Sequence, residues 1–201
     1  MTNPERAFNF LAGSTVLSWA AAIAQTQLLD PAPSWSPWVV VTLHAVVGLL
    51  FFVRCPVLRS GSCASAIAAA PSVLVAGFAV APSAGAAPWP PFAEAVFVLG
   101  GAIAVAALLS LGRSFAVMPA LRVVVDRGLY RFVRHPVYLG EGLMVIGCVL
   151  ADPGVEMVTV CVAAAVLLGI RVRVEEHGLS RDAAYVDYCR RVRWRWLPGL
   201  R

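Results

Sequence analysis

Lysine is absent from this sequence, and charged residues of any kind are scarce. Only 13% of the 201 residues are charged and 60% are hydrophobic, whereas ordinary soluble proteins carry roughly 25% charged residues. A soluble domain of this length would need more polar surface, so we expect the bilayer to be the solvent for much of the chain. All 16 basic residues are arginine, which a GC-rich bacterial genome explains better than a need for planar guanidinium groups.

Paired cysteine spacings typical of metal sites are also missing. The five cysteines are Cys55, Cys63, Cys148, Cys161 and Cys189, and most of them lie in or beside apolar stretches. We expect reduced thiols packed as small hydrophobes rather than a disulfide framework. Neither a metal nor a nucleic-acid partner is expected.

Long apolar stretches dominate the rest of the chain. They cover about residues 7–29, 38–53, 63–81, 92–111 and 137–170, and about 20 helical residues cross the hydrocarbon core. The first stretch is too long for the core of a signal peptide, so we expect it to be retained as a span. The last stretch is too long for one span and is interrupted at 152–154 by Asp-Pro-Gly, which predicts a turn. We therefore predict a hairpin of two helices, 137–151 and 154–174, and about six spans in total.

Arginine is distributed unevenly between the predicted loops. The loops at 30–37, 82–91 and 152–153 contain none, whereas those on the other side contain seven. Positive charge accumulates on the cytoplasmic side of membrane proteins. We therefore expect a protein integral to a membrane, the inner membrane of a bacterium, with both termini in the cytoplasm.

Polar side chains are concentrated in the second half of the chain. Residues 1–112 hold three arginines and residues 113–201 hold thirteen. The predicted fold class is all-α, a polytopic membrane bundle in which 1–112 form a scaffold of four spans. Residues 113–201 would supply a cytoplasmic loop, the hairpin, a cytoplasmic C-terminal helix and the polar pocket.

Two polar clusters in this second half would face each other. Arg134 and His135 precede Pro136 at the predicted start of a helix, where free backbone N–H groups favour an anion. Glu175 and Glu176 follow an apolar helix. Taken alone, the first cluster is as well explained by an interfacial Arg with a capping His, and the second by weak surface ion pairs. Together they would bind a zwitterion.

The order of these motifs resembles the isoprenylcysteine carboxyl methyltransferase family, and more broadly membrane methyltransferases that include phospholipid methyltransferases. The resemblance covers about residues 111–198 and consists of LGRSF, DRGLYRFVRHPVYLGE and EEHGLSRDAAYVDYCRRVRWRWLP. Leu129 stands where the family usually has proline, and Ala183-Ala184 where it has Phe-Gly. The resemblance implies an S-adenosylmethionine-dependent methyltransferase, with 113–201 as its catalytic region.

The resemblance also implies a set of site residues. The cofactor-binding set is Leu129, Tyr130, Arg134, His135, Pro136, Tyr138, Gly140, Glu175, Glu176 and Tyr185. By charge complementarity, Arg134 and His135 suit the carboxylate of S-adenosylmethionine, and Glu175 or Glu176 its ammonium. Arg171, four residues before Glu175 on one helix face, is predicted to hold the acceptor, and Glu175 is the other candidate catalytic residue.

The predicted acceptor has several alternatives. A carboxylate on a lipophilic, isoprenoid-like molecule entering from the bilayer is favoured, because its O-methylation needs no base. N-methylation of a lipid amine, a nicotinamide-dependent reductase of the sterol-reductase type and a non-enzymatic scaffold are the alternatives. The Arg-rich segment 190–196 could bind anionic membrane lipid in any of these cases.

Overall fold

A computed structural model describes residues 3–30, 34–60, 67, 89–117 and 120–196. Within these residues the fold is helical, as predicted. The helices are α1 (Asn3–Leu28), α2 (Trp35–Val53), α3 (Pro91–Leu111), α4 (Pro136–Ala151), α5 (Val155–Leu179) and α6 (Ala183–Arg191). Two 3₁₀ turns, Gly112–Ser114 and Gly128–Arg131, and a two-residue antiparallel ladder, β1 (Arg59–Ser60) with β2 (Ala120–Leu121), complete the described elements.

Four of these helices are long and apolar enough to cross a membrane. The qualifying stretches are Pro4–Leu28, Trp35–Val53, Pro91–Ser114 and Val155–Leu179. Helix α4 is apolar but shorter, as expected for the first arm of the hairpin. The predicted span at 63–81 lies outside the described residues, apart from Ile67. The protein is therefore a polytopic helical membrane protein.

Helices α2 and α3 run parallel to each other. At one end, the Glu94 carboxylate accepts hydrogen bonds from the N–H groups of Trp35 (2.6 Å) and Ser36 (3.3 Å). At the other end, the Cys55 N–H donates to the Arg113 carbonyl at 2.7 Å.

The hairpin forms with a tight turn, as predicted. The Asp152 side chain accepts a hydrogen bond from the Gly154 N–H at 3.1 Å, and α5 begins at the next residue. Helix α5 then continues to Leu179, beyond the predicted end at 174, because the Glu-Glu pair extends the helix instead of ending it. Both glutamates thus sit on a regular helix.

Helices α3 and α4 pack at very short range through glycine. A Cβ atom added to Gly140 would lie 2.5 Å from the Gly100 carbonyl oxygen, and one added to Gly100 would lie 2.6 Å from the Gly140 carbonyl. Small residues allow this backbone approach between membrane helices. Phe97, Met144 and Cys148 fill the adjoining core together with Met157 and Cys161 of α5.

The arginine-rich end of the bundle collects the ends of several elements. Helices α2, α3 and α5 finish there, α4 begins there, and α6 follows α5 at the same end. The N–H groups of Arg134 and His135 donate to the carbonyls of Trp194 and Arg195, both at 2.9 Å. The C-terminal segment is therefore fixed beside the start of α4. Cys55, Cys148, Cys161 and Cys189 are free thiols, as expected, and Cys63 lies outside the described residues.

Candidate functional site

The start of α4 has the geometry expected from its sequence. Pro136 is the first helical residue and is fully buried, and His135 before it is also buried. Proline fits this position because the first N–H groups of a helix have no acceptor within the helix. The N–H groups of Val137 and Tyr138, which come next, likewise have no intrahelical acceptor. They remain part of a local positive potential at the site.

Two arginines and one histidine contact the carboxylate of Glu176. Its Oε1 lies 3.2 Å from His135 Nε2 and 3.3 Å from Arg134 Nη2, and its Oε2 lies 2.9 Å from Arg195 Nη2. The carboxylate side chain is only 12% exposed. We call these four residues the Glu176 clamp. It unites the two clusters that the sequence predicted to face each other and adds Arg195, which sequence reasoning did not identify.

A second network surrounds Tyr138. The Tyr138 hydroxyl donates to Glu175 Oε2 at 2.6 Å and accepts from Arg171 Nε at 2.9 Å. Arg171 Nη2 also donates to the Val117 carbonyl at 2.6 Å. We call Tyr138, Arg171 and Glu175 the Tyr138 network. The stacked rings of His135 and Tyr138, with centroids 5.5 Å apart, connect it to the clamp.

Neighbouring residues on α5 point in different directions and therefore contact different partners. Glu175 and Glu176 are about 100° apart around the helix, which gives each its own partners. Arg171 is buried, whereas Arg173 is exposed. Of these two arginines, Arg171 is the one that contacts Tyr138.

Glu141 is a further carboxylate at this site that sequence reasoning did not single out. It lies three residues after Tyr138, on the same face of α4, and interacts electrostatically with Arg171 and Glu175. The sequence does show Glu141 as an isolated acid within an apolar helix. Placing an ionisable side chain in a membrane costs free energy, so such residues usually have a function or a charged partner. Glu141 and Glu175 thus both contribute negative charge in the vicinity of Arg171.

Helix α6 closes the site from the side of the C-terminal segment. The Asp182 carboxylate caps this helix by accepting from the Tyr185 N–H at 3.1 Å. Tyr185 and Tyr188 are both buried, and the Tyr188 hydroxyl donates to the Tyr130 carbonyl at 2.8 Å. The Tyr185 hydroxyl is buried with no hydrogen-bond partner. Burial raises the pKa of Tyr130, Tyr185 and Tyr188, so all three phenols stay neutral at physiological pH.

Arg134 connects the clamp to α6. Its Nη1 donates to Cys189 Sγ at 3.1 Å, while its Nη2 reaches Glu176. Burial works to lower the pKa of Arg134, but the hydrogen bond to Cys189 and the charge of Glu176 outweigh it and raise the pKa on balance. Arg134 Nε is buried without a partner. The guanidinium therefore stays charged and keeps one donor available.

The remaining predicted residues occupy different positions. Leu129 and Tyr130 lie in the 3₁₀ turn Gly128–Arg131, where Leu129 is half-buried. Gly140, by contrast, lies on the side of α4 that contacts α3. It is two residues, or about 200°, from Tyr138 around the helix, so its position is explained by helix packing rather than by contact with a cofactor.

The N-terminal helices are fastened to this end by buried polar contacts. Asn9 of α1 accepts hydrogen bonds from Arg54, which directly follows α2, and Arg122 lies 3.5 Å from Glu5. Burial first, and then the nearby charge of Arg122, lower the pKa of Arg54 to about 10. In the part of the chain that the structure describes, no group of three or more His, Cys, Asp or Glu side chains is placed to hold a metal ion.

A comparison with known protein families matches part of the chain. No curated protein matches it, but residues 93–181 match the model of the isoprenylcysteine carboxyl methyltransferase (ICMT) family. The matched range contains α4, α5, nearly all of α3 and the Tyr138 network, and it ends before α6 and Arg195. The match covers less than half of the chain, and over this range the chain is similar to the isoprenylcysteine carboxyl methyltransferase family.

Proposed function

We propose that the protein is an S-adenosylmethionine-dependent methyltransferase that O-methylates a carboxylate on a lipophilic, isoprenoid-like acceptor. The observation that carries this proposal is the contact between the Glu176 clamp and the Tyr138 network at the end of apolar helices. The Glu176 clamp provides charged side chains that could bind a polar methyl donor. The Tyr138 network offers a buried cation close to the bilayer. We further propose that the arginine-rich end and both termini lie in the cytoplasm of a bacterial cell.

The charges in the site suit the two ends of S-adenosylmethionine. Arg134, His135 and the free N–H groups of the first turn of α4 favour its carboxylate. Both Glu176 oxygens already have cationic partners, whereas Glu175 has one hydrogen bond from Tyr138. Glu175 is therefore the better candidate for the ammonium. We propose that Glu176 instead orients the cations.

Buried polar atoms and rings are available for the nucleoside part. The Tyr185 hydroxyl and Arg134 Nε are both buried without hydrogen-bond partners, and buried polar atoms in proteins are normally satisfied. Leu129 and Tyr130 lie in the adjoining turn. These groups fit a ligand with polar edges and a flat ring system, so the cofactor-binding set retains Leu129, Tyr130, Arg134, His135, Pro136, Tyr138, Glu175, Glu176 and Tyr185.

The protein's contribution to the reaction would be alignment and exclusion of water. S-adenosylmethionine supplies an activated methyl group whose transfer is an in-line displacement, with a new O–C bond forming as the S–C bond breaks. An acceptor carboxylate needs no base. Arg171 is the buried cation that would attract this carboxylate and fix its direction, and its bonds to Tyr138 and Val117 hold the guanidinium rigidly.

A second candidate function has a specific observation in its favour. Glu141 and Glu175 both interact electrostatically with Arg171, so the negative charge of two carboxylates acts on one guanidinium. A locally negative site favours a protonated amine, and either glutamate would serve as the base that N-methylation requires. Methylation of a lipid amine is therefore the alternative that the experiment must distinguish.

Binding measurements on the detergent-purified full chain test the donor. Calorimetric titration should detect S-adenosylmethionine and not NADPH. His135→Ala should weaken S-adenosylmethionine about tenfold or more, because a charge-assisted hydrogen bond contributes about 1.5–3 kcal/mol. Arg173→Ala, which removes an exposed arginine from the same helix, is the matched control. NADPH binding without S-adenosylmethionine binding would replace this proposal with the reductase.

Product analysis tests the acceptor. Protein in liposomes receives S-adenosylmethionine with a deuterated methyl group, together with lipophilic carboxylic acids in one reaction and amine lipids in another. Mass spectrometry should find a base-labile methyl ester. A base-stable N-methyl product would instead establish the second candidate, and Glu141→Gln should then abolish it.

A further inference from the structure

Two adjoining clefts lie at the arginine-rich end, and one of them borders the Glu176 clamp. One has a volume of about 410 Å³ and is lined by Arg134, Cys189, Arg190, Arg193 and Arg195. The other, of about 290 Å³, is lined by Arg131, Phe132, Arg191, Val192, Arg193 and Trp194. Arg193 lines both, so we treat them as one feature and call them the arginine clefts.

Positive charge in the arginine clefts exceeds the negative charge that pairs with it. Six arginines line the clefts, and three carboxylates contact them: Glu176, Asp126 and Asp187. The difference, 6 − 3, leaves a net charge of +3. Among the described residues no ion pair involves Arg131 or Arg193, and both are exposed.

The ion pairs at the rim of the arginine clefts are exposed to solvent, so another anion could replace the carboxylate in each of them. The side chains of Arg190 and Asp187 are 76% and 66% exposed, and those of Arg191 and Asp126 are 62% and 50% exposed. Exposed pairs of this kind contribute little to stability. A phosphate would therefore compete with Asp126 and Asp187 without breaking a buried contact.

The arginine clefts lie at the level where the apolar part of the chain begins. Helix α4 starts at Pro136, and the backbones of Arg134 and His135 are bonded to those of Trp194 and Arg195. Phe132 is 67% exposed and lines the second cleft beside Arg131. An exposed aromatic ring next to arginines at the end of a membrane helix fits the interface between phospholipid headgroups and acyl chains.

From this arrangement we propose that the arginine clefts bind the phosphate of an anionic phospholipid in the leaflet at the arginine-rich end. Guanidinium groups recognise phosphate through paired hydrogen bonds, and juxtamembrane clusters of arginine attract anionic lipid. Phe132 would reach toward the acyl chains while Arg131 and Arg193 contact the headgroup. Arg134 and Arg195 of the clamp also line one cleft, whereas Arg131 and Arg193 belong to neither the clamp nor the Tyr138 network.

Lipid binding to the detergent-purified full chain tests this proposal. Phosphatidylglycerol, phosphatidylcholine and inorganic phosphate are titrated separately, with thermal unfolding and native mass spectrometry as readouts. Phosphatidylglycerol should bind and raise the melting temperature, and the other two should not. The double variant Arg131→Gln/Arg193→Gln should bind phosphatidylglycerol at least about fivefold more weakly, while its affinity for S-adenosylmethionine stays within about twofold of the unmodified protein.

The control is Arg173→Gln/Arg181→Gln, which removes the same charge from two exposed arginines outside the clefts. It should retain phosphatidylglycerol affinity. An equal loss in both double variants would show nonspecific attraction and overturn the proposal. An equal response to inorganic phosphate, or none to phosphatidylglycerol, would overturn it as well. If the double variant does not fold, Arg193→Gln alone should still lower the affinity, because Arg193 lines both clefts.

Discussion

The substitution Glu176→Gln tests whether the Glu176 clamp binds the methyl donor or only fixes the fold. Glutamine keeps the shape of the side chain but removes its charge. Arg134, His135 and Arg195 would then lose the carboxylate that lies 2.9–3.3 Å from each of them. The amide N–H₂ group would also face at least one positively charged donor. The side chains of Arg134 and His135 at the start of α4 should therefore be held less firmly.

The expected loss of S-adenosylmethionine affinity in Glu176→Gln follows from the type of contact that is removed. Hydrogen bonds to charged groups contribute about 1.5–3 kcal/mol each, and Glu176 is only 12% exposed, so solvent screens these contacts weakly. If one such contact supports donor binding, affinity for S-adenosylmethionine should fall about 10-fold to 150-fold. The melting temperature in detergent should fall too, because Arg134 loses its carboxylate partner while remaining largely buried.

Calorimetric titration and thermal unfolding together decide between the two roles. The control is Asp187→Asn, which removes an exposed ion pair with Arg190 worth about 0–1 kcal/mol and should leave both quantities nearly unchanged. Unchanged S-adenosylmethionine affinity in Glu176→Gln, combined with a lower melting temperature, would refute a role in donor binding. The clamp would then be purely structural.

Three further predictions concern the acceptor, the packing and the topology. Arg171→Ala should lower turnover at least about tenfold, or 1.4 kcal/mol of barrier, with donor affinity within about twofold; equal losses of both would place Arg171 in the donor site. Gly140→Ala should destabilise the protein by about 1–3 kcal/mol in thermal unfolding, because its Cβ would meet the Gly100 carbonyl at 2.5 Å; an unchanged melting temperature would contradict this packing. Reporter fusions should read external after Asp30, Ala84 and Asp152 and cytoplasmic after Arg59 and Arg127; a cytoplasmic reading at Asp152 would mean that α4 and α5 do not cross.

The helical framework could be predicted because its signals are local. Each apolar stretch in the described residues became a helix within about one turn of its predicted bounds, except that α5 extends five residues further, and Asp-Pro-Gly formed the hairpin turn. The burial of Arg171 and the exposure of Arg173 follow from the 100° rotation per residue. A sequence contains this information directly, since neither inference depends on which distant segment packs nearby.

The contacts that complete the site could not be predicted in the same way. Arg195 reaches Glu176 only because the C-terminal segment after α6 folds back onto residues 134–135. Gly140 belongs to the same motif as Tyr138, but the helix turns it toward α3. The sequence shows Glu141 as an acid in an apolar helix. Its interaction with Arg171 of the neighbouring helix became evident only in the structure.

The division of work between Glu175 and Glu176 follows from their adjacency on a helix. Because they diverge by about 100°, Glu176 turns toward the start of α4 and the C-terminal segment, whereas Glu175 turns toward Tyr138 and Arg171. A one-residue shift of α5 would leave a glutamate facing only one of the two networks and bring Arg171 out of reach of Tyr138. The hairpin turn at Asp152 and the glycine contact between α3 and α4 therefore determine the chemistry indirectly, since they set the register that places a carboxylate in each network.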